Sequence, residues 1–286
     1  MSAAPPVAVN VTPRGRGDAL HAPRGGGAPL FVLPLETRMP FAAFLRALDV
    51  SADEAAAEAA PPLEAGELFD ASYDGDGVPY VSAQDGSLDA DFAPLAADVP
   101  RSLPLGDAAF GAPPDAVNLW LGNSRASSSF HFDHYENLYA VVVGEKRFTL
   151  LPPCDSRLLR CRRTRVGRFE RDGDGAWRVA LEEPPRRVSW ATVDPHGGDG
   201  EGSSAVAPFV EVTVRAGEIL YLPALWHHHV RQSGRRVIAV NWWHDMRFDL
   251  RYAYFTFVRK LGDDGDASGG DSGDDADNDN DALALT

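Results

Sequence analysis

The residues with the clearest chemical potential are His131 and Asp133, two positions apart in the segment SSFHFDHY. In an extended strand, residues two apart point to the same face, so an imidazole and a carboxylate would lie side by side. Three consecutive histidines, His227, His228 and His229, follow much later in the chain. One of them would complete the two-histidine, one-carboxylate triad of non-haem Fe(II) sites. The spacing leaves open a second interpretation, in which these are surface or hydrogen-bonded core histidines.

Such a triad leaves metal positions open, and a bidentate oxoacid and O₂ are the ligands that would fill them. An oxoacid cosubstrate also needs a cation for its far carboxylate. Lys146 follows the pair in the segment VVVGEKRF and is the candidate for that cation. The alternative for Lys146 is an ordinary exposed lysine in a hairpin turn.

Short apolar runs rich in β-branched and aromatic residues predict the strands that would position these groups. The predicted strands are 77–83, 116–121, 137–143, 147–151, 209–214, 219–222 and 237–242. Gly144-Glu145 predicts a hairpin between two of them. Residues 40–48 and 247–261 have helical apolar spacing, and residues 154–208 predict a long insertion with little regular structure. Many short strands at close spacing favour a barrel or sandwich.

The composition excludes several classes of protein. The formal charge is −15, and nine aspartates lie between residues 263 and 281 without a basic residue. We therefore expect 263–286 to be an acidic disordered tail and expect no direct nucleic-acid binding. A membrane-spanning helix is excluded because no run of 18 apolar residues exists. Two cysteines, Cys154 and Cys161, rule out a disulfide scaffold and indicate a reduced compartment, the cytoplasm with the nucleus as a second location.

The Pro-, Gly- and Ala-rich start predicts a flexible N-terminal segment over residues 1–30. This assignment leaves residues 31–262 as the catalytic domain.

The segments HFDHYENLY, GEK, LYLPALW and VIAVNWW occur in an order that resembles the jumonji-C (JmjC), cupin-like oxygenases. The similarity is greatest to their small lysyl hydroxylase subgroup and covers at least residues 116–261. The resemblance implies a mainly β fold, a double-stranded β-helix of the jelly-roll or cupin type with flanking helices. It implies Fe(II) as the metal and 2-oxoglutarate as the cosubstrate. Because the family has further N-terminal sequence, the N-terminal part of its fold is expected to be missing here.

The resemblance assigns the metal ligands residue by residue. His131 and Asp133 match the paired ligands, and His228 matches the distal ligand that follows P-x-x-W-aromatic. Because His227 stands where the family has an aromatic residue, His227 and His229 remain alternatives. If His228 faces the metal, alternation turns its two neighbours away.

The resemblance also assigns residues to the cosubstrate. Lys146 matches the lysine that pairs with the distal carboxylate of 2-oxoglutarate, and Ser128 and Tyr80 match groups that reach the same carboxylate. Asn137 and Asn241 match asparagines near the cosubstrate and metal. Their alternative role is to satisfy buried backbone groups.

The implied function is hydroxylation of a lysine side chain in a protein or peptide substrate. Lysine demethylation, a non-catalytic cupin-like binding module and a metal-dependent peptidase remain alternatives, although the HExxH pattern of many peptidases is absent. An acidic cavity mouth would attract lysine, with Glu136, Asp245 and Asp249 as candidates. A homodimer is one expected assembly, because some relatives dimerise through terminal helices.

Overall fold

The computed structural model of the protein describes residues 6–21, 28–57, 77–82, 84, 86–195 and 209–263. Most of the predicted acidic tail therefore lies outside the described residues. The strands are β1 Val7–Thr12, β2 Arg16–Gly17, β3 Ala19–His21, β4 Leu30–Leu33, β5 Leu35–Met39, β6 Val78–Tyr80, β7 Ala116–Gly122, β8 Ser127–His131, β9 Tyr135–Leu151, β10 Arg162–Arg171, β11 Trp177–Leu181, β12 Arg187–Trp190, β13 Val210–Arg215, β14 Ile219–Leu222 and β15 His227–Asp245. The α-helices are α1 Phe41–Ala57, α2 Ser87–Ala90, α3 Pro104–Phe110 and α4 Leu250–Asp263, with 3₁₀ helices at Ala93–Asp98 and Pro153–Leu159.

The central sheet is built on the two longest strands, β9 and β15, which pair antiparallel along most of their length. Strands β13 and β14 pair with the other edge of β9, and β7 and β8 pair with β15. Two further sheets, β5-β1-β6 and β11-β10-β4-β3, complete the β framework. The expected mainly β, jelly-roll or cupin-type fold with few flanking helices is confirmed.

The predicted hairpin at Gly144-Glu145 is wrong, because β9 continues through this position as one strand. Gly144 adopts a positive φ of 79° and bends the strand without reversing it. Both halves of β9 remain paired with β15, whose register shifts between Ser233 and Ile238, opposite the bend. A glycine in a strand interior typically marks such a bulge, which has the same local sequence signal as a tight turn.

The prediction that residues 1–30 form a flexible segment is also wrong for the part that the structure describes. Strand β1 pairs with β5 on one side and β6 on the other. Its Val7, Val9 and Val11 side chains are buried in the largest apolar cluster, against Phe44 and Leu48 of α1. Because β1 lies at the centre of a sheet, neighbouring strands on both sides supply hydrogen-bond partners for its backbone. These partners are distant in the sequence, so the local Pro- and Gly-rich composition did not indicate them.

Residues 154–208 contain regular structure as well, contrary to the sequence prediction. Strand β10 pairs with β11 and β12, and its parallel pairing with β4 ties this region to the N-terminal strands. Val166 and Phe169 of β10 are fully buried, while Arg162 and Arg163 remain exposed. The exposed arginines surround the few buried apolar residues of this strand, and their number obscured those residues in the sequence.

Both predicted helices are confirmed in type, although their bounds differ. Helix α1 extends to Ala57, beyond the predicted end at residue 48. Helix α4 begins at Leu250 and covers one edge of the barrel with Phe255, which packs with Leu225 and Met246. Among the described residues, none of the helices combines the length and apolar character that crossing a bilayer requires.

We predict that Val9→Ala lowers the free energy of unfolding by about 2 kcal/mol, because two methyl groups leave a fully buried position. The matched control is Val142→Ala on β9, where the valine is 54% exposed and the change should stay within about 0.5 kcal/mol. Urea unfolding of both variants measures the difference. Equal effects would show that β1 does not contribute to the cooperative core.

Candidate functional site

Strand pairing brings the three predicted metal ligands together. His131 ends β8, and His228 near the start of β15 is its direct cross-strand partner. Asp133 lies two residues after His131, beyond the strand end. One ligand atom from each of the three residues lies within 4.8 Å of the other two, so this group has the size of a metal site. Among the described residues, no other group of three such side chains meets this criterion.

Backbone hydrogen bonds fix the orientation of both imidazoles. His131 Nδ1 donates to the carbonyl of Ser129 at 2.9 Å, and His228 Nδ1 donates to the carbonyl of Trp226 at 3.0 Å. Each Nε2 atom therefore keeps a free lone pair, which is what a metal ligand requires. Burial, helped by the nearby His131, lowers the pKa of His228 to about 4 and keeps its ring neutral.

The donor set fits a divalent iron ion. Asp133 Oδ2 lies 3.5 Å from His228 Nε2, a separation too long for a hydrogen bond between them. Two imidazoles and one carboxylate are the donor set that Fe(II) oxygenases use, and this set leaves further metal positions for other ligands. Hydrogen bonding of the second ring nitrogen to a carbonyl is the usual support for such ligands.

The other two histidines of the run have different surroundings. The His227 ring lies 5.2 Å from the Phe132 ring and 5.8 Å from the Phe255 ring, within an aromatic cluster beside the site. The His229 ring lies 5.7 Å from the Phe130 ring. Of the three, only His228 belongs to the group with converging ligand atoms. His227 also lines the cavity, so the converging ligand atoms, and not strand alternation alone, distinguish His228 from it.

Lys146 lies on β9 with its ammonium inside the same cavity, although it is only 1% exposed. Its Nζ donates to the Tyr80 hydroxyl at 2.9 Å and lies over the Tyr80 and Tyr139 rings. Among the described residues, no carboxylate forms an ion pair with it. Burial lowers the pKa of Lys146 to about 7. A buried ammonium without an anion is unfavourable, so this position fits the carboxylate of a ligand.

Two further predicted residues line the cavity near these groups. Ser128 accepts a hydrogen bond from the Val230 amide at 3.1 Å, which leaves its hydroxyl proton for a second partner. Asn137 accepts a hydrogen bond from Asn241 Nδ2 at 3.0 Å. Both side chains can therefore donate to a bound anion or carbonyl.

Asn241 lies behind the cavity wall and is fully buried. Its Oδ1 accepts a hydrogen bond from Trp120 Nε1 at 2.8 Å while its Nδ2 donates to Asn137. These bonds fix the amide orientation of Asn137, so Asn241 can act on a ligand only through its neighbour.

The three carboxylates suggested for an acidic mouth lie away from the cavity wall. Glu136 accepts hydrogen bonds from the Tyr221 hydroxyl and the Ala224 amide. Asp249 pairs with Arg251, and Asp245 is exposed. The cavity instead contains Asp18, which the sequence analysis missed because the residue lies in the segment interpreted as flexible. No local pattern marks Asp18, since tertiary pairing alone brings it to the site.

Comparison with known proteins places this site in a family. Residues 2–250 match the model of the cupin-like domain. The chain is 41% identical to lysine-specific demethylase JMJ32 of Arabidopsis thaliana, over 69% of this chain and 61% of that protein. It is 38% identical to the human bifunctional peptidase and (3S)-lysyl hydroxylase JMJD7, over 89% of this chain and 72% of that protein. It is 33% identical to JmjC domain-containing protein E of Dictyostelium discoideum, over 63% and 57% respectively.

The chain therefore belongs to the cupin-like JmjC domain family. It spans about three fifths of the length of the plant and Dictyostelium relatives. The family model matches from residue 2, so the matched region includes the N-terminal strands of the fold. The expected domain began only at residue 31.

We predict that His131→Ala and His228→Ala each weaken Mn²⁺ binding by at least about 100-fold, since each removes one of three ligands. His229→Gln is the matched control, because it changes the neighbouring histidine and leaves the converging ligand atoms in place. Calorimetric titration of each purified variant with Mn²⁺ measures the affinities. Loss of binding in His229→Gln with binding retained in His228→Ala would reassign the third ligand.

We predict that Lys146→Met stabilises the protein by on the order of 3 kcal/mol at pH 6. The pKa of Lys146 is about 7 when folded, below its ordinary value of 10.5, so the unfolded chain holds more protons between these values. The free energy of unfolding of the wild-type protein therefore rises with pH between about pH 7 and pH 10.5, as the Lys146 ammonium loses its proton. The advantage of the variant should shrink from pH 7 and vanish above pH 10.5.

Urea unfolding at several pH values measures this difference. Lys260→Met, at an exposed lysine on α4, is the control and should change the free energy of unfolding by less than about 0.5 kcal/mol. A difference between Lys146→Met and wild type that stays constant from pH 6 to pH 10.5 would contradict a buried, unpaired ammonium.

Proposed function

We propose that this JmjC-family protein is an Fe(II)- and 2-oxoglutarate-dependent hydroxylase that acts on a lysine side chain of a protein or peptide. The observation that carries the proposal is the meeting, in one cavity, of the His131, Asp133 and His228 ligand atoms with the buried, unpaired ammonium of Lys146. A metal-ligand triad by itself would fit many reactions. The added cation specifies a ligand that carries a carboxylate.

In this proposal, His131, Asp133 and His228 hold Fe(II). With 2-oxoglutarate bound, the iron supplies the oxidising chemistry that inserts one atom of O₂ into an unactivated C–H bond. The carbonyls of Ser129 and Trp226 accept hydrogen bonds from the two imidazoles and keep each Nε2 atom aimed at the metal. Their fixed orientation means that little reorganisation is needed when the metal binds.

Lys146, Tyr80 and Ser128 receive the distal carboxylate of 2-oxoglutarate. The ammonium of Lys146 forms a charge-assisted hydrogen bond that is strong in a buried setting. The Tyr80 hydroxyl already accepts from Lys146, so its own proton is free to donate to the same anion. Burial raises the pKa of Tyr80 well above its ordinary value, which keeps that proton in place.

Asn137 and the aromatic wall of the cavity have supporting roles. Asn137 donates to the cosubstrate in an orientation fixed by Asn241. Trp120, Tyr139 and Trp243 line the same cavity and exclude bulk water from the reacting groups. Exclusion of water strengthens every polar interaction within the site and limits side reactions.

Lysine as the target is supported by the names of the two relatives already described, one a lysyl hydroxylase and one a lysine-specific demethylase. Demethylation is therefore the second candidate. It uses the same metal and cosubstrate on an N-methyl carbon, so the metal centre does not discriminate between the two reactions. The product does, since hydroxylation adds an oxygen atom and demethylation removes a methyl group.

We predict that the protein, given Fe(II), 2-oxoglutarate, ascorbate and air, converts 2-oxoglutarate to succinate and adds one oxygen atom to lysine-containing peptides. Intact-mass analysis of peptide pools with unmodified, mono-, di- or trimethylated lysine measures the product. His131→Ala should abolish both outcomes, because one metal ligand is lost.

The outcomes separate the alternatives. Loss of a methyl group without oxygen retained on the peptide supports demethylation. Absence of succinate in folded, metal-loaded protein supports a binding module. Peptide cleavage that persists without O₂ and 2-oxoglutarate would support a metal-dependent peptidase instead.

A further inference from the structure

Asp18 lies beside the metal-ligand strand through main-chain contacts. Strand β2 runs parallel to β8, with Arg16 opposite Ser127 and Gly17 opposite Ser128. The next residue, Asp18, accepts a hydrogen bond on its carbonyl from the Ser129 hydroxyl. Ser129 in turn accepts from His131 Nδ1 through its own carbonyl. Two hydrogen bonds through Ser129 therefore connect the backbone of Asp18 to the metal-ligand residue His131. The side chain of Asp18 lines the cavity.

The charges of the cavity wall leave Asp18 without an assigned role. Among the described residues that line the cavity, the carboxylates are Asp18 and Asp133, and the ammonium and guanidinium groups belong to Lys146 and Arg259. Asp133 belongs to the metal-ligand group and Lys146 to the carboxylate site. Arg259 lies over the rings of Phe132 and Phe255 on the α4 side. Asp18 is thus the remaining acidic group in the cavity.

The Asp18 carboxylate has no ion pair or side-chain hydrogen bond with another described residue. Arg168 is close enough to attract it, but the Arg168 guanidinium donates to the Pro34 carbonyl at 3.2 Å. Burial raises the pKa of Asp18 to about 6, against the opposing influence of His131 and Arg168. A carboxylate in this position destabilises the ligand-free fold, so its placement is explained best by a cationic ligand.

We propose that Asp18 is the specificity-determining residue that receives the ammonium group of the substrate lysine. This inference rests on the proposed lysine hydroxylase function. In this proposal, one lysine side chain presents a methylene to the metal while its terminal ammonium reaches the Asp18 carboxylate in the same cavity. Uncharged side chains of similar length would leave the Asp18 carboxylate in the cavity without a partner, and the site would reject them.

The same contact distinguishes methylation states. An unmodified ammonium offers three N–H donors, whereas trimethyl-lysine keeps the charge and has none. A charge-assisted hydrogen bond to Asp18 therefore favours unmodified lysine over trimethyl-lysine. Asp18 thus directs the cavity toward hydroxylation of unmodified lysine rather than removal of methyl groups.

Asp18→Asn is the informative substitution, since it removes the charge at almost constant shape. Asp18 has a positive φ of 49°, a conformation in which both Asp and Asn are favoured, so the backbone should be retained. Thermal unfolding checks the fold, and the variant should be at least as stable as wild type because an unpaired carboxylate is lost.

The probes are two fluorescent peptide pools with random flanking residues free of Lys and Arg. One pool has a central lysine and the other a central norleucine, which has the same chain length without the ammonium. Anisotropy titrations use protein loaded with Mn²⁺ and 2-oxoglutarate. Wild type should bind the lysine pool about tenfold or more tightly, and Asp18→Asn should bind both pools equally.

Asp249→Asn is the matched control, because it removes an acidic group that lies outside the cavity wall and pairs with Arg251. It should keep the wild-type preference for lysine. A lysine preference that survives in Asp18→Asn, or that is lost equally in Asp249→Asn, would overturn the assignment of Asp18. So would a wild-type protein that binds the two pools equally.

A measurement on wild type alone covers the case in which Asp18→Asn does not fold. A trimethyl-lysine pool should bind roughly tenfold more weakly than the unmodified pool, and equal binding would contradict the proposal. Succinate formation by wild type separates this inference from the proposed function. If wild type forms no succinate but prefers lysine in an Asp18-dependent way, the proposed hydroxylase function is wrong and the lysine-binding site is retained. If wild type forms succinate but shows no such preference, only the assignment of Asp18 is wrong.

Discussion

The pairing of β8 with β15 is the constraint on which the site depends. It sets His228 directly opposite His131, although 97 positions separate them in the numbering of the chain. The same β15 pairs along most of β9, which carries Asn137 and Lys146. A single long strand therefore fixes the metal-ligand group relative to the proposed carboxylate site. A slip by one residue would turn His228 away from the cavity and bring a neighbouring histidine toward it.

The cavity contains polar groups that the protein alone does not satisfy. Lys146 lacks an anion, Asp18 lacks a cation, and His131, Asp133 and His228 present converging lone pairs. Each arrangement is unfavourable inside a cavity without its ligand, and each is matched by one component of the proposed reaction: a carboxylate, an ammonium and a metal ion. The surrounding core, in which β1 and α1 pack around Val9 and Phe44, supplies the stability that this arrangement requires.

Sequence patterns were reliable where local chemistry and family resemblance agreed. The His131–Asp133 pair, the predicted strand over 116–121 and the closing helix on α4 follow from residue types over short distances. The sequence patterns gave wrong predictions where the structure of a segment depends on pairing with a strand far away in the chain. Gly144 looks like a turn because both a turn and a bulge need a positive φ, and only pairing with β15 distinguishes them. Likewise, the Pro- and Gly-rich start gave no indication that β1 lies at the centre of a sheet.

The sequence by itself determined the fold family, the types of side chain available for metal binding and the candidate cation Lys146, because these depend on residue identity, order and local spacing. Only the tertiary structure decided which of three adjacent histidines converges with His131 and Asp133, that Asn241 stands behind Asn137, and that Asp18 enters the cavity. The reason is physical: ligand geometry and the burial of charge are set by strand register and by contacts between segments far apart in the chain, and neither is encoded in the residues next to the site.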